Sequence, residues 1–160
     1  MTGDRLNLLK TKLQNFKLEY TDVNGTTAFY ILKEDVLNVC NILKNDESLK
    51  FDSCVDAVSV DRFVKKDRFE MIYNLLSIEN NERIFIKIRL DSKKPEMESL
   101  IPVWKSADWY EREAYDMMGI NFLNHPDLRR MYMPDEFEYY PLRKDFPLMG
   151  IPDSIPLPNK

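Results

Sequence analysis

The sequence predicts an α+β fold: a two-layer domain with a mixed sheet covered by helices, plus an extended proline-rich C-terminal tail. Three observations carry this. Stretches with apolar residues at three- and four-residue steps are interspersed with stretches of period two, which are the signatures of helix and strand respectively. The clearest strand candidate, Arg83 to Leu90, sends Ile84, Ile86, Ile88 and Leu90 one way and Arg83, Phe85, Lys87 and Arg89 the other, as in a sheet with one buried and one wetter face. Seven of the nine prolines lie after residue 125. Proline removes a backbone donor and disfavours helix in the residue before it. The chain therefore divides into a body, residues 1–123, and an extended arm of the same domain, residues 124–160.

The elements follow in order. Leu6, Leu9, Leu13 and Phe16 define a first amphipathic helix behind a cap at Asp4. Asn24-Gly25 is a turn signal, and Thr26 to Leu32 is β-branched and aromatic enough for a strand. Val36, Val39, Cys40 and Leu43 share one face of a second helix whose other positions include Lys33, Glu34, Asn38 and Asn41. Ser53 to Val60, Phe69 to Ile78 and Arg83 to Leu90 are strands, the last two joined by a turn at Asn80-Asn81. Pro102-Val103-Trp104 is a loop. Ala107 to Met118 lacks proline and glycine and makes a third helix, with Ser106 to cap its start and Gly119 its end. A short strand, Ile120 to Leu123, closes the body.

Composition excludes several functions. In 160 residues, 23 basic and 27 acidic side chains leave a net charge of −4, so no global field draws nucleic acid or an anionic membrane. Cys40 and Cys54 are too few for an iron-sulfur cluster or structural zinc, which usually take four ligands, and are expected as buried thiols in a reducing, cytosolic setting. No stretch approaches the roughly 18 apolar residues of a membrane span. Four glycines and no glycine-rich phosphate loop leave nucleotide binding without support.

Information concentrates in residues 104–148, with both tryptophans, ten of the 19 aromatics and the single histidine. On the third helix Arg112 and Asp116 are four apart, the spacing of an ion pair, beside Glu111 and Glu113. His125 precedes Pro126 and is expected from a loop as a hydrogen-bonded structural residue, since no nucleophile or metal-ligand spacing includes it. Arg129, Arg130, Arg143 and Lys144 alternate with Tyr132, Tyr139, Tyr140 and Phe146, but Asp127, Asp135, Glu136, Glu138 and Asp145 among them would repel a polyanion. Mixed charge with aromatics suits a protein interface better than a nucleic-acid groove.

Three blocks within this region are specific. Asp108-Trp109-Tyr110-Glu111-Arg112-Glu113-Ala114-Tyr115-Asp116-Met117-Met118-Gly119-Ile120, then His125-Pro126-Asp127-Leu128-Arg129-Arg130, then Pro141-Leu142-Arg143-Lys144-Asp145-Phe146-Pro147-Leu148 closely resemble the 30 kDa subunit of respiratory complex I, the proton-pumping NADH:quinone oxidoreductase. Val58 to Phe63 and Tyr73 to Ser77 look like that family's strands. Asn124 stands where the family usually has glycine, and Tyr139-Tyr140 where it has glycine and histidine.

The resemblance implies a peripheral-arm scaffold subunit without catalytic residues and without a cofactor or metal of its own, in a complex that uses NADH, FMN, iron-sulfur clusters and quinone. Its partners would be the large, 49 kDa-type quinone-site subunit and neighbouring cluster-bearing subunits. Its place would be the cytoplasmic face of the cell membrane or the equivalent organellar side, held there only through the complex. Glu111, Arg112, Glu113, Asp116, His125, Arg129, Arg130, Arg143, Lys144 and Asp145 would be interface or bracing residues, with Arg112 paired to Asp116 and the tail arginines meeting carboxylates of the large subunit. The alternative is the equivalent subunit of a related membrane-bound hydrogenase or ferredoxin-dependent oxidoreductase.

Overall fold

The computed structural model describes residues 3–151. The last stretch of the predicted arm, 152–160, with three of its prolines, lies outside the described residues. The chain runs α1 (Gly3–Lys12), β1 (Glu19–Val23), β2 (Thr26–Ile31), α2 (Val36–Asn45), β3 (Ser53–Asp61), β4 (Phe69–Ser77), β5 (Glu82–Leu90), β6 (Glu96–Glu98), α3 (Ala107–Met118) and β7 (Asn121–Leu123). This is the predicted α+β class.

The main sheet has the order β1-β2-β5-β4-β3. β1 and β2 form a hairpin about Asn24-Gly25, where both residues have positive φ. A parallel pair cannot be joined by a tight turn. The chain therefore leaves β2 through α2, builds β3 and β4 from the far edge inward, and returns as β5 to pair parallel with β2. On β5, Ile84, Ile86, Ile88 and Leu90 are fully buried, while Arg83 and Arg89 are exposed. They join Phe69, Met71, Tyr73 and Leu75 of β4, Leu9 of α1 and Val36, Val39, Cys40 and Leu43 of α2 in one core. Burying a large apolar side chain contributes about 1.5–3 kcal/mol, so this shared face holds the helices on the sheet.

Several local expectations are corrected. α1 ends at Lys12, with Leu13 and Phe16 beyond it, and Asp4 lies in its first turn rather than ahead of it. Ser106 makes no side-chain cap; its hydroxyl donates to the Cys54 carbonyl of β3 at 2.8 Å, fixing the start of α3 to the sheet instead. Two strands carry no prior expectation. β1 is an edge strand with Glu19 and Asp22 exposed, and β6 is only three residues long, paired parallel with β7 in a second small sheet. Gly119 does close α3 in the left-handed region, at φ 71°. Both cysteines are buried free thiols, and burial pushes Cys54 up to about 12.

Candidate functional site

α3 and the arm form one structure. The faces of α3 diverge by about 100° per residue, so its charged run is distributed: Glu111 faces the sheet, Arg112 and Asp116 face the arm, and Glu113 faces solvent.

Glu111 is fully buried. Its Oε1 accepts from the Tyr73 hydroxyl at 2.9 Å and the Leu100 N–H at 2.8 Å, and its Oε2 from the Ser99 hydroxyl at 2.6 Å. One carboxylate thus ties α3 to β4 and to the segment after β6. Burial raises its pKa to about 7, although the three donors pull the other way.

Asp116 is also fully buried, and it does not pair with Arg112. Its Oδ2 accepts the N–H groups of Met131, Tyr132 and Met133 at 3.0, 2.6 and 3.0 Å. Its Oδ1 takes Arg130 Nη1 at 2.7 Å. Three successive amides make a concave donor set that suits an anion. Burial works against the charged form, but these amides and Arg130 hold Asp116 below the usual carboxylate range. Arg112 lies over the Trp109 ring at 5.2 Å and donates from Nε to the Arg129 carbonyl at 3.4 Å. Arg130 lies over Phe137 and Tyr140, and Phe137, nearly buried, meets Tyr139 edge-on at 5.6 Å.

A second clasp fastens the end of the arm. Asp61, at the end of β3, accepts from Arg68 Nε at 2.8 Å and Nη2 at 2.6 Å, from the Phe63 N–H at 2.8 Å, and from the Lys144 N–H at 2.9 Å. Arg68 also pairs with Asp145 at 2.8 Å. Its hydrogen bonds drive the Asp61 carboxyl well below the usual range. Arg143 donates to the Met118 carbonyl at 2.7 Å and stacks on Tyr140 at 4.3 Å and Phe69 at 4.9 Å.

Gly119 sits beneath that stack. A Cβ there would lie 2.5 Å from Arg143 Nη2 and 2.6 Å from the Tyr140 ring, at a φ that L residues avoid. Gly119→Ala is expected to cost about 1–2 kcal/mol from backbone handedness alone, measured by urea denaturation. It should also lift Tyr140 and Arg143, read as faster tryptic cleavage after Arg143.

The other expected residues are placed as follows. The His125 side chain is fully buried; its Nδ1 accepts the Asp127 N–H at 3.1 Å and its Nε2 lies 3.4 Å from Asp108 Oδ1. Arg129 pairs with its neighbour Asp127 at 3.0 Å in an exposed loop, and the Lys144 side chain is exposed. Tyr139 and Tyr140, at the departure from the family pattern, serve Arg130 and Arg143 as carbonyl acceptor and stacking surface. Four participants were not anticipated: Asp61, Arg68, Tyr73 and Ser99. Their contacts to α3 and the arm span 12 residues for Ser99 with Glu111 up to 83 for Asp61 with Lys144, beyond the reach of helical or hairpin spacing.

Chemically, the buried carboxylates are saturated with donors, four each at Asp61 and Asp116. They hold backbone rather than facing an open cavity. Among the described residues no group of three or more His, Cys, Asp or Glu could hold a metal, and no helix is long and apolar enough to cross a membrane. Trp109, Tyr132, Tyr139 and Leu142 are exposed across α3 and the arm, among exposed charges that include Glu113, Asp135, Glu136, Glu138 and Lys144.

The family described as respiratory-chain NADH dehydrogenase, 30 Kd subunit, matches residues 29–152. The second C-type subunit of the NADH-quinone oxidoreductase of Rhizobium meliloti (strain 1021) is 44% identical over 97% of this chain and 86% of its own length. The C-type subunit of the NADH-quinone oxidoreductase of Geobacter sulfurreducens is 41% identical over 92% of this chain and 90% of its own. Among solved structures, a trypsin-resistant fragment (1-134) of Nqo5 superposes with a TM-score of 0.62 at 25% identity, covering 78% of this chain and 99% of the fragment. A chain of an archaeal membrane-bound sulfane sulfur reductase shares the fold, with a TM-score of 0.77 at 21% identity over 91% of this chain and 87% of that one.

Proposed function

Because the chain belongs to the 30 kDa subunit family of the respiratory-chain NADH dehydrogenases, we propose that it is a non-catalytic scaffold in the peripheral arm of a proton-translocating NADH:quinone oxidoreductase. It packs against the large quinone-site subunit and neighbouring cluster-bearing subunits on the cytoplasmic or equivalent organellar side of the membrane. NADH, FMN, iron-sulfur clusters and quinone belong to the other subunits of that complex, and this chain binds none of them.

The observation that carries the proposal is the division of labour in the arm. Asp116, Asp145 and the guanidiniums of Arg130 and Arg143 are engaged within the chain, while Trp109, Tyr132, Tyr139 and Leu142 stand exposed with Arg129, Glu113, Asp135, Glu136 and Glu138 among them. Aromatic anchors with scattered charge are what protein interfaces enrich. The tail arginines therefore brace the arm from inside, and its outer surface meets the partner.

Purification of the tagged chain from native membranes in mild detergent tests this. Recovery with a quinone-site large subunit, cluster-bearing subunits and a flavoprotein is expected. A nickel-bearing large subunit would assign it to a hydrogenase instead, and recovery alone from the soluble fraction would end the scaffold proposal. Tyr132→Asp with Leu142→Asp is expected to abolish co-purification while changing the stability of the isolated chain by no more than about 0.5 kcal/mol per site, as for exposed positions generally.

A further inference from the structure

The two edges of the main sheet differ. Edge strands present unpaired N–H and C=O groups that template another chain, and proteins usually blunt them with charge or cover. β1 is blunted: it is five residues long with Glu19 and Asp22 exposed. β3 is nine residues long and is treated in two halves. Its first half is covered by α3, through Ser106 on the Cys54 carbonyl and the Tyr110 hydroxyl on the Val55 carbonyl at 2.7 Å. Its second half, Ala57 to Val60, has no hydrogen-bond partner beyond β4 among the described residues. Val58 and Val60 there are 45% and 37% exposed. Glu70 lies opposite Val60 on β4 and pairs with Arg62 at 4.0 Å, but neither covers the outer edge of the strand with a hydrogen bond.

Beside this free half lies a cleft of about 200 Å³, bounded by Val58 and Ser59 on the strand, Tyr110 and Met117 on α3, and Leu142 of the arm. Glu113, the only charged residue lining it among the described residues, stands exposed at its side.

Resting on the scaffold reading above, we propose that the Ala57–Val60 edge accepts an added β-strand from a partner subunit. The donated segment is extended, places an apolar side chain in the cleft, and carries a lysine or arginine opposite Glu113. Main-chain pairing along an open edge gives affinity, and the pocket for alternate side chains gives specificity. A helix could not satisfy the edge groups. A second copy of this chain is disfavoured by charge, since the same edge would bring another Glu113, with Asp56 nearby on the strand, against the first. The Arg112 and Arg130 guanidiniums are already occupied elsewhere and offer no counter-charge.

Hydrogen exchange on the complex purified from native membranes, compared with the isolated full chain, tests the proposal. At least tenfold slower exchange is expected at the outward-pointing amides of Ala57–Val60 in the complex. A benzophenone amino acid replacing Val58 should crosslink, in membranes, to a partner peptide with an apolar residue flanked by lysine or arginine. Glu113→Lys should weaken retention of the chain in the complex, with recovery on reversing that partner cation. A complex in which residues 129–142 are protected and 57–60 are not would overturn the strand and leave the scaffold standing. A crosslink to a second copy would also overturn it, and absence of the chain from the complex would remove both readings together.

Discussion

Asp116→Ala is expected to release the arm from the body at a cost of about 3–5 kcal/mol, because removing one partner of a buried pair leaves the other uncompensated. Here the loss is compounded. The Arg130 guanidinium and three consecutive backbone amides, Met131 to Met133, all lose their acceptor at once. The expected observations are a lower urea midpoint, retained far-ultraviolet dichroism from α1, α2 and the sheet, and rapid tryptic cleavage after Arg129 and Arg130. Asp116→Asn keeps the shape and one carbonyl oxygen, so it should fall between alanine and the parent. Because Asp116 is held below its usual range when folded, its contribution is present above the unfolded pKa near 4 and is lost as pH falls through the folded value. A loss under about 1 kcal/mol for the alanine variant would mean that the aromatic contacts of Phe137, not this carboxylate, fasten the arm.

The contrast between Asp116 and Arg112 shows what the sequence can disclose. Spacing of four on a helix correctly places the two residues on one side of α3, but it cannot say that a nest of amides 15 to 17 residues away competes for the same carboxylate. Three charge-assisted bonds to backbone outweigh one exposed-type i,i+4 pair worth a few tenths of a kcal/mol. Arg112 is then free to stack on Trp109. The same reasoning explains the strands. β5 is legible because its alternation reflects a face buried along its whole length, and α3 because helix formers end at a glycine that the left-handed cap requires. β1 is masked by the acidic residues that protect an edge, and β6 exists only because β7, more than twenty residues later, supplies its partner. The proline density after residue 125 correctly signals the lack of helix and strand between 124 and 151. Its docking on the body depends on Asp61 and Arg68, which are distant in sequence and carry no local mark, and on Asp116, whose partners in the arm its helical spacing does not reveal.

Glu111 gives the strongest pH dependence. It has no cationic partner among its contacts: Tyr73, Ser99 and the Leu100 amide donate to it, and burial raises its pKa from an ordinary 4.5 to about 7. A carboxyl whose folded pKa is raised binds its proton more tightly when folded, so its contribution is full below about 4.5 and is lost as pH rises to about 7. At 1.36 kcal/mol per unit, the parent chain should lose on the order of 3 kcal/mol between pH 4.5 and 8. The clasp aspartates act in the opposite direction and only below about pH 4, so they leave this window clear. Glu111→Gln stays neutral throughout; its amide can accept from Leu100 and Tyr73 and donate to Ser99 once that hydroxyl turns. The variant is therefore expected to match the parent near pH 5 and to exceed it by on the order of 3 kcal/mol at pH 8, by urea denaturation at each pH. Parallel curves for the two chains would show that Glu111 stays ionised and that its three donors, not burial, control it. Glu111→Ala separates size from charge: it leaves two hydroxyls and an amide without an acceptor in the core, so it should be less stable than Glu111→Gln at every pH. That ordering distinguishes a hydrogen-bonding hub between α3, β4 and the segment after β6 from a carboxylate retained only for its charge.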